Sequence, residues 1–429
     1  MSMKFKLGLC GLGTVGRGVV DMLTRNGRTI AERTGLEFSV TRVLVRDPAK
    51  ERDLPPGARL TFDYRELIED PEVDIVVEVM GGRDTALEVI LGALRGGKSV
   101  VTANKEVMAS FGPEVFAAAR EHGADLFFEA SVGGGIPLIR PLKQCLVGNE
   151  VSSLLGILNG TSNYILTRMA AGVEFSAALR EAQQRGYAEA DPRADLEGHD
   201  AARKLAILAA VAFGARVKVQ EVYTEGIGGL EARDVEYAAR LGWAVKPLVM
   251  GDMLEGRLSL RVYPALLPLS HPLAKVDGAF NAVLLEGDFV GRTLFYGQGA
   301  GGAPTASAVV GDIIEAARNR LNGHNGVGCT CRCEVQVADM AEHVCQHYLR
   351  FVARDVPGVL GRAASVLGAC GVNIHSVLQT PLERGEAELV FVTHPVREGS
   401  LREALAELRR EVSGLTLRTH LRLAGVAEL

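Results

Sequence analysis

The chain has 429 residues, 47 of them Lys or Arg against 52 Asp or Glu, for a net charge of -5, and 47% are hydrophobic. That length supports two or three domains with sizeable cores and excludes a lone binding module, while the mildly acidic balance argues against nucleic acid as a partner. No apolar run approaches the ~18 residues of a membrane span, and the start MSMKFKLGLCGLG enters strand-like sequence without a cleavage pattern, so a cytoplasmic protein with no membrane partner is expected. Its seven cysteines are too sparse for a secreted disulfide framework and read as reduced thiols.

Residues 4–9, KFKLGL, predict a strand, followed by the loop GLGTVG and the helical stretch RGVVDMLTR. Strand, glycine loop and helix in that order form the dinucleotide fingerprint. Gly11 makes the tight turn, Gly13 lets backbone approach a pyrophosphate, and Gly16 lets the helix pack closely on the strand. Thr14 and Val15 lie between them and share that cofactor-binding assignment. Further strands are predicted at 38–45, 74–79, 99–102 and 125–128, giving a Rossmann domain over residues 1–130. The second strand ends in Arg46-Asp47. Arg46 with Lys50 and Arg52 favours NADP over NAD, whereas Asp47 either receives a ribose hydroxyl or caps the following turn. The strand VVT opens into Ala103, Asn104 and Lys105. Ligands sit beyond the carboxyl ends of such strands, so Asn104 and Lys105 face the cofactor, and Lys105 is aimed at the chemistry. A surface lysine capping a loop is the plainer alternative.

From Glu129 the run EASVGGGIPLIRPL is dense in glycine; it either brings backbone groups near a ligand or ion or serves as a hinge. In LLGILNGTSNYIL, Asn159 to Asn163 interrupt an apolar strand and restart as a helix, which suits caps and equally a small polar substrate. Residues 186–204, GYAEADPRADLEGHDAARK, gather Glu189, Asp191, Asp195, Glu197 and Asp200 ahead of Lys204. Carboxylates at a helix start favour the helix dipole. The following LAILAAVAFG is apolar on nearly every side, so this charged entrance leads into a buried helix, with Asp200 and Lys204 on one face. A polar pocket for a charged small molecule is the sharper reading.

Residues 257–300 predict strands of a mixed sheet suited to an oligomer interface, with His271 in a loop, and a helix from about Pro304 to 320 is expected to return to the nucleotide domain. Residues 131–322 thus form an α+β substrate and dimerisation domain.

These pieces resemble homoserine dehydrogenase. The likeness is carried by Ala182, Gly186, Tyr187, Ala188, Asp191, Pro192, Asp195, Leu196, Gly198, Asp200 and Lys204, and by GLGTVG, TANKE, GILNGTSNYIL and GAGGAPTASAVV, from residue 5 to about 320. The resemblance implies NAD(P)H-dependent interconversion of L-aspartate 4-semialdehyde and L-homoserine, within threonine, methionine and isoleucine biosynthesis. It implies that Glu189 and Asp195 bind the substrate amine, that Asp200 orients Lys204, and that Lys204 and Lys105 stand at the reacting oxygen. Gly160 and Thr161 join the substrate-binding set. Hydride reaching an aldehyde carbon leaves charge on oxygen, which an ammonium stabilises and protonates. The family also binds a monovalent cation, sodium, here assigned to Glu129, Val132, Gly134 and Ile136, mostly through backbone carbonyls; Gly134 stands where other members can have alanine, a difference that a backbone ligand tolerates.

Residues 323–347 read as a linker in which CTCRC lacks the two-residue gap of zinc Cys pairs, so its cysteines are taken as incidental. Residues 348–429 predict strand, helix, strand, strand, helix, strand. They resemble an ACT domain, with Asp355, Pro357 and Gly358 at the first strand-to-helix turn and Asn373 before the second strand. The resemblance implies an amino-acid ligand, L-threonine as a feedback inhibitor, and a homodimer or homotetramer; a ligand-free dimerisation module is the alternative. Two rivals are set aside. Aspartate-semialdehyde dehydrogenase needs an activated cysteine, and neither Cys10 nor Cys145 has a base in its sequence neighbourhood. A non-catalytic sensor of cofactor and amino acid has no use for Lys105 and Lys204.

Overall fold

The computed structural model describes residues 2–331 and 334–424, so Cys333 of CTCRC lies outside them. It has α/β architecture: a parallel Rossmann-like sheet, a mixed sheet with its own helices, and a C-terminal ACT domain.

The chain opens with β1 (Met3–Cys10), α1 (Thr14–Thr34), β2 (Leu36–Leu44) and β3 (Arg59–Thr61). It continues through α2 (Tyr64–Ile68), β4 (Ile75–Glu78), α3 (Asp84–Arg95), β5 (Ser99–Thr102), α4 (Lys105–Glu121) and β6 (Leu126–Phe127). The six strands pair in parallel in the order β3-β2-β1-β4-β5-β6. Helices cover both faces of such a sheet, which is why β4 (IVVE) and β5 (SVVT) are buried at every position instead of alternating. The helix Gly302–Asn322 contributes Ala306, Val309, Val310 and Ile313 to the core formed by Leu7, Leu9, Val77 and Val101. It begins two residues before Pro304, which occupies its first turn, where a missing N–H costs nothing.

Contacts divide the chain into two compact units, one of residues 1–154, 202–221 and 280–335, the other of 155–201, 222–279 and 336–429. The expected boundaries at 130, 322 and 347 cut the chain differently, because residues 131–322 contribute to both units and the ACT segment groups with 222–279. The physical reason is a ladder no local signal announces. Strand Arg257–Pro268 pairs in parallel with the last ACT strand, Ala265 opposite Arg422 and Leu266 opposite Leu423.

In the second unit the strands run Trp243–Leu254, Arg257–Pro268, Thr416–Leu423, His347–Arg354, Glu386–Thr393 and Ile374–Pro381 across one sheet. The last four with helices Val359–Ala369 and Glu398–Glu411 are the expected ACT order, closed over Leu349, Phe351, Leu367, Phe391, Leu401 and Leu408. In the first unit the hairpin Phe280–Gly287 and Gly291–Gln298 alternates exposed and half-buried positions along its second strand, leaving Phe289, Leu294 and Tyr296 exposed.

Candidate active site

The nucleotide loop shows three different demands on three glycines. Gly11 has φ +102°, and a Cβ there would lie 2.9 Å from the Val79 carbonyl; a Cβ on Gly16 would lie 2.1 Å from the Gly11 carbonyl. A Cβ on Gly13 would meet no protein atom within 4 Å. Protein contacts therefore exclude side chains at Gly11 and Gly16, whereas Gly13 stands beside open space at the N-cap of α1, with Thr14 and Val15 in the first turn, where an anion finds unpaired N–H groups. Past β2, Arg46 and Lys50 are exposed. Asp47 caps its own turn, Oδ1 accepting from the Ala49 N–H at 2.9 Å, while Arg52 donates to the Asp47 and Lys50 carbonyls.

At the carboxyl ends of β4 and β5 lies a buried network that sequence reasoning missed. Glu78 closes β4 fully buried, and burial pushes its carboxyl above the ordinary range. It accepts from the Thr102 hydroxyl at 2.6 Å and the Met80 N–H at 2.9 Å. Thr102 in turn accepts from the Asn104 N–H. Asn104 caps α4, accepting from the N–H groups of Glu106 and Val107 and donating to the Gly82 carbonyl. Lys105 is thereby fixed as the first residue of α4. The visible signal was one acid ending the apolar run DIVVEV.

The glycine-dense loop is tied from beneath. The Glu129 carboxylate accepts from the N–H groups of Leu138, Ile139 and Arg140 at 2.6–2.7 Å, and its own N–H donates to Asp312. Asp312 pairs with Arg140 at 2.7 Å, yet burial raises its carboxyl to about 7. The Glu129 side chain is thus a clamp on the loop, and its carbonyl accepts the Val132 N–H at 3.5 Å. Val132, Gly134 and Ile136 are buried, and among the described residues no backbone N–H donates to their carbonyls. Buried carbonyls left over in this way fit a hard cation with oxygen ligands. Gly134 has φ +56°, and a Cβ there would stand 2.5 Å from the Gly299 carbonyl, so this chain needs glycine at that position.

In the second unit Asn159 gathers the carboxylates. As N-cap of helix Gly160–Ala170 its Oδ1 accepts from the Ser162 N–H, and its Nδ2 donates to Asp195 at 2.7 Å and to Asp200 at 2.9 Å. The Thr161 hydroxyl holds the Tyr187 carbonyl at 2.5 Å, and Ser162 donates to the Asp195 carbonyl. Gly160 is pressed on the chain at 279, where a Cβ would lie 2.8 Å from the Ala279 carbonyl. Asp200 is buried, Asp195 half-buried and Glu189 exposed. Asp191 pairs with Arg193, and so is spoken for. Helix His199–Ala212 starts at these acids and carries Lys204 one turn beyond Asp200, then buries Leu205 to Ala209. His271 caps the short turn Pro272–Lys275, in line with a loop role.

The fold and loop define a nicotinamide-dinucleotide-dependent oxidoreductase carrying an ACT domain. Three family models match: homoserine dehydrogenase NAD binding domain over residues 11–129, homoserine dehydrogenase over 137–314, and ACT domain over 347–412. The chain is 46% identical to a homoserine dehydrogenase of Synechocystis sp. over 417 residues, 95% of this chain and 96% of that one. It is 43% identical to one of Corynebacterium glutamicum, covering 94% and 92%. Among solved structures it is similar to a homoserine dehydrogenase from Thiobacillus denitrificans, with TM-score 0.92, 40% identity and 98% of both chains covered. It is also similar to a hyperthermophilic archaeal homoserine dehydrogenase in complex with NADPH, with TM-score 0.63 and 29% identity over 74% of this chain and 98% of that one. The chain belongs to the homoserine dehydrogenase family, oxidoreductases acting on the CH–OH group of homoserine. Among the described residues no helix is long and apolar enough to cross a membrane.

Proposed function

We propose that the enzyme prefers NADP, holds the substrate ammonium with Asp195 and Glu189, uses Lys204 and Lys105 at the reacting oxygen, binds sodium at residues 129–136, and is inhibited by threonine at its ACT domain. The observation that carries the substrate reading is the Asn159 clamp, which keeps two carboxylates together beside a helix bearing a lysine. The clamp fixes Asp195, and a carboxylate so held favours a cation beside it; homoserine and aspartate semialdehyde both present an ammonium. Bound NAD(P)H supplies the hydride. The chain's own task is to orient the carbonyl, to stabilise the oxygen as negative charge grows on it, and to deliver a proton there, for which the Lys204 and Lys105 ammonium groups are suited.

Exposed Arg46 and Lys50, with Asp47 turned to its own loop, support NADP, since an acid free for the ribose hydroxyls is what favours NAD; the archaeal relative's NADPH complex agrees. Arg46→Ala is expected to raise KM for NADP about tenfold with KM for NAD unchanged, a loss near 1.4 kcal/mol. Equal changes for both cofactors would remove the assignment. For the cation, exchange of sodium for a bulky organic cation at constant ionic strength should lower kcat/KM reversibly; unaltered rates in a sodium-free, chelator-treated preparation would sink it.

The ACT domain offers a pocket of about 330 Å³ lined by Asp355, Pro357, Gly358, Leu360 and Gln379 among others. Asp355 is presented there by Gln379 at 3.1 Å, next to the start of helix Val359–Ala369. A carboxylate beside helix N–H groups matches an amino acid's ammonium and carboxylate. Asp355→Ala should raise the threonine concentration for half-inhibition at least about tenfold at unchanged uninhibited rate. Inhibition of this variant at the wild-type concentration refutes the pocket. The exposed Phe289, Leu294 and Tyr296 support a homodimer or homotetramer.

A further inference from the structure

CTCRC lacks the spacing of a zinc site. The structure assembles metal-type ligands elsewhere, in the C-terminal domain. His347 at the start of its strand, His420 on the last strand and Glu398 at the first turn of its helix bring one ligand atom each within 4.8 Å of one another. His347 Nδ1 lies 2.9 Å from His420 Nε2 and 3.8 Å from Glu398 Oε2. Cys345, two residues before His347, places Sγ nearer Nε2, at 3.6 Å, than Nδ1, at 4.0 Å, and stands outside this trio. His347 and Glu398 are 0% and 1% exposed at their side chains, and Cys345 is buried.

We propose that His347, His420 and Glu398 form a three-ligand site for one divalent transition-metal ion of the zinc class. Tetrahedral bonds of ~2.0–2.3 Å to nitrogen, oxygen and sulfur set ligand atoms roughly 3.3–3.6 Å apart. The two separations from His347 Nδ1, at 2.9 and 3.8 Å, bracket that spacing, so side-chain shifts of a few tenths of an ångström admit an ion, with its fourth position open to water. Two imidazoles and one carboxylate are the donor set of zinc, cobalt and nickel rather than magnesium or calcium. Supporting contacts are in place. His347 Nε2 faces the Val396 carbonyl at 3.4 Å, which leaves Nδ1 as the ligating atom, and Arg422 donates to both Glu398 oxygens at 2.8 Å, orienting the carboxylate while Oε2 keeps a lone pair. The ion would cross-link the strand start, the last strand and the helix, the three elements that close the domain around its core.

The alternative is a metal-free hydrogen bond between two neutral imidazoles, and cobalt decides between them. Full-length protein, stripped with a chelator and titrated with Co²⁺, is expected to bind one equivalent with the intense visible bands of a tetrahedral ion. Cys345→Ser should keep those bands; His420→Gln should weaken binding about 100-fold. A variant with Cys329, Cys331 and Cys333 all changed to Ser should match the wild type. No tetrahedral spectrum in the folded, homoserine-oxidising wild type overturns the proposal, as does a spectrum that survives His420→Gln or vanishes in the triple variant.

Discussion

Lys204→Ala is expected to lower kcat for homoserine oxidation by about 10³-fold, near 4 kcal/mol of transition-state stabilisation, with NADPH affinity changed less than about twofold. The size follows from the setting. Lys204 stands one turn past Asp200 on a helix that buries Leu205, Ala206, Ile207, Leu208 and Ala209 directly after it. An ammonium at the edge of such a hydrophobic helix acts on developing oxyanion charge through a medium less polar than water, where it is worth more than in solvent. Lys204→Arg should stay near the alanine level if proton delivery is the task, because guanidinium does not give up its proton near neutral pH. Measuring kcat by nicotinamide absorbance and Kd by NADPH fluorescence separates the steps. A kcat within tenfold of wild type would remove Lys204 from the chemistry and leave Lys105 as the remaining amine.

What was legible in the sequence was what rests on backbone and period. The glycine loop could be read residue by residue because a steric demand of the backbone fixes Gly11 and Gly16, while Gly13 is left beside open space. The buried parallel strands were legible as apolar runs, and the ACT order as alternating periods. The polar clamps were less so. Glu78 meets Thr102 across 24 residues, and Glu129 holds N–H groups 9 to 11 residues on. Such pairs exist because buried polar groups must be satisfied, a requirement that acts through space and has no spacing to read. The same holds for His347 and His420, 73 residues apart and in contact. It holds also for the parallel pairing of Ala265 with Arg422, which moves a strand of the middle segment into one sheet with the ACT domain.

Asn159 is where legibility and function part most clearly, and its removal should be the second large effect. In the sequence it was a cap, and it is one; the structure adds that its amide also donates to Asp195 and Asp200 at once. Asn159→Ala loses the cap, a cost of about 1 kcal/mol in stability, and leaves the Asp195 and Asp200 carboxylates without the donor they share. Like charges so placed move apart, which spoils the position of Asp195 for the proposed ammonium. The expected result is a KM for homoserine raised about 30- to 100-fold, roughly 2–3 kcal/mol, with KM for NADP unchanged. Asn159→Asp keeps the capping oxygen and replaces the donor with a third carboxylate. It should therefore retain the fold's thermal stability better than alanine does, yet bind homoserine at least as poorly. If Asn159→Asp instead binds homoserine like the wild type, the amide is a helix cap alone, and the ammonium must be held by groups other than the pair it bridges.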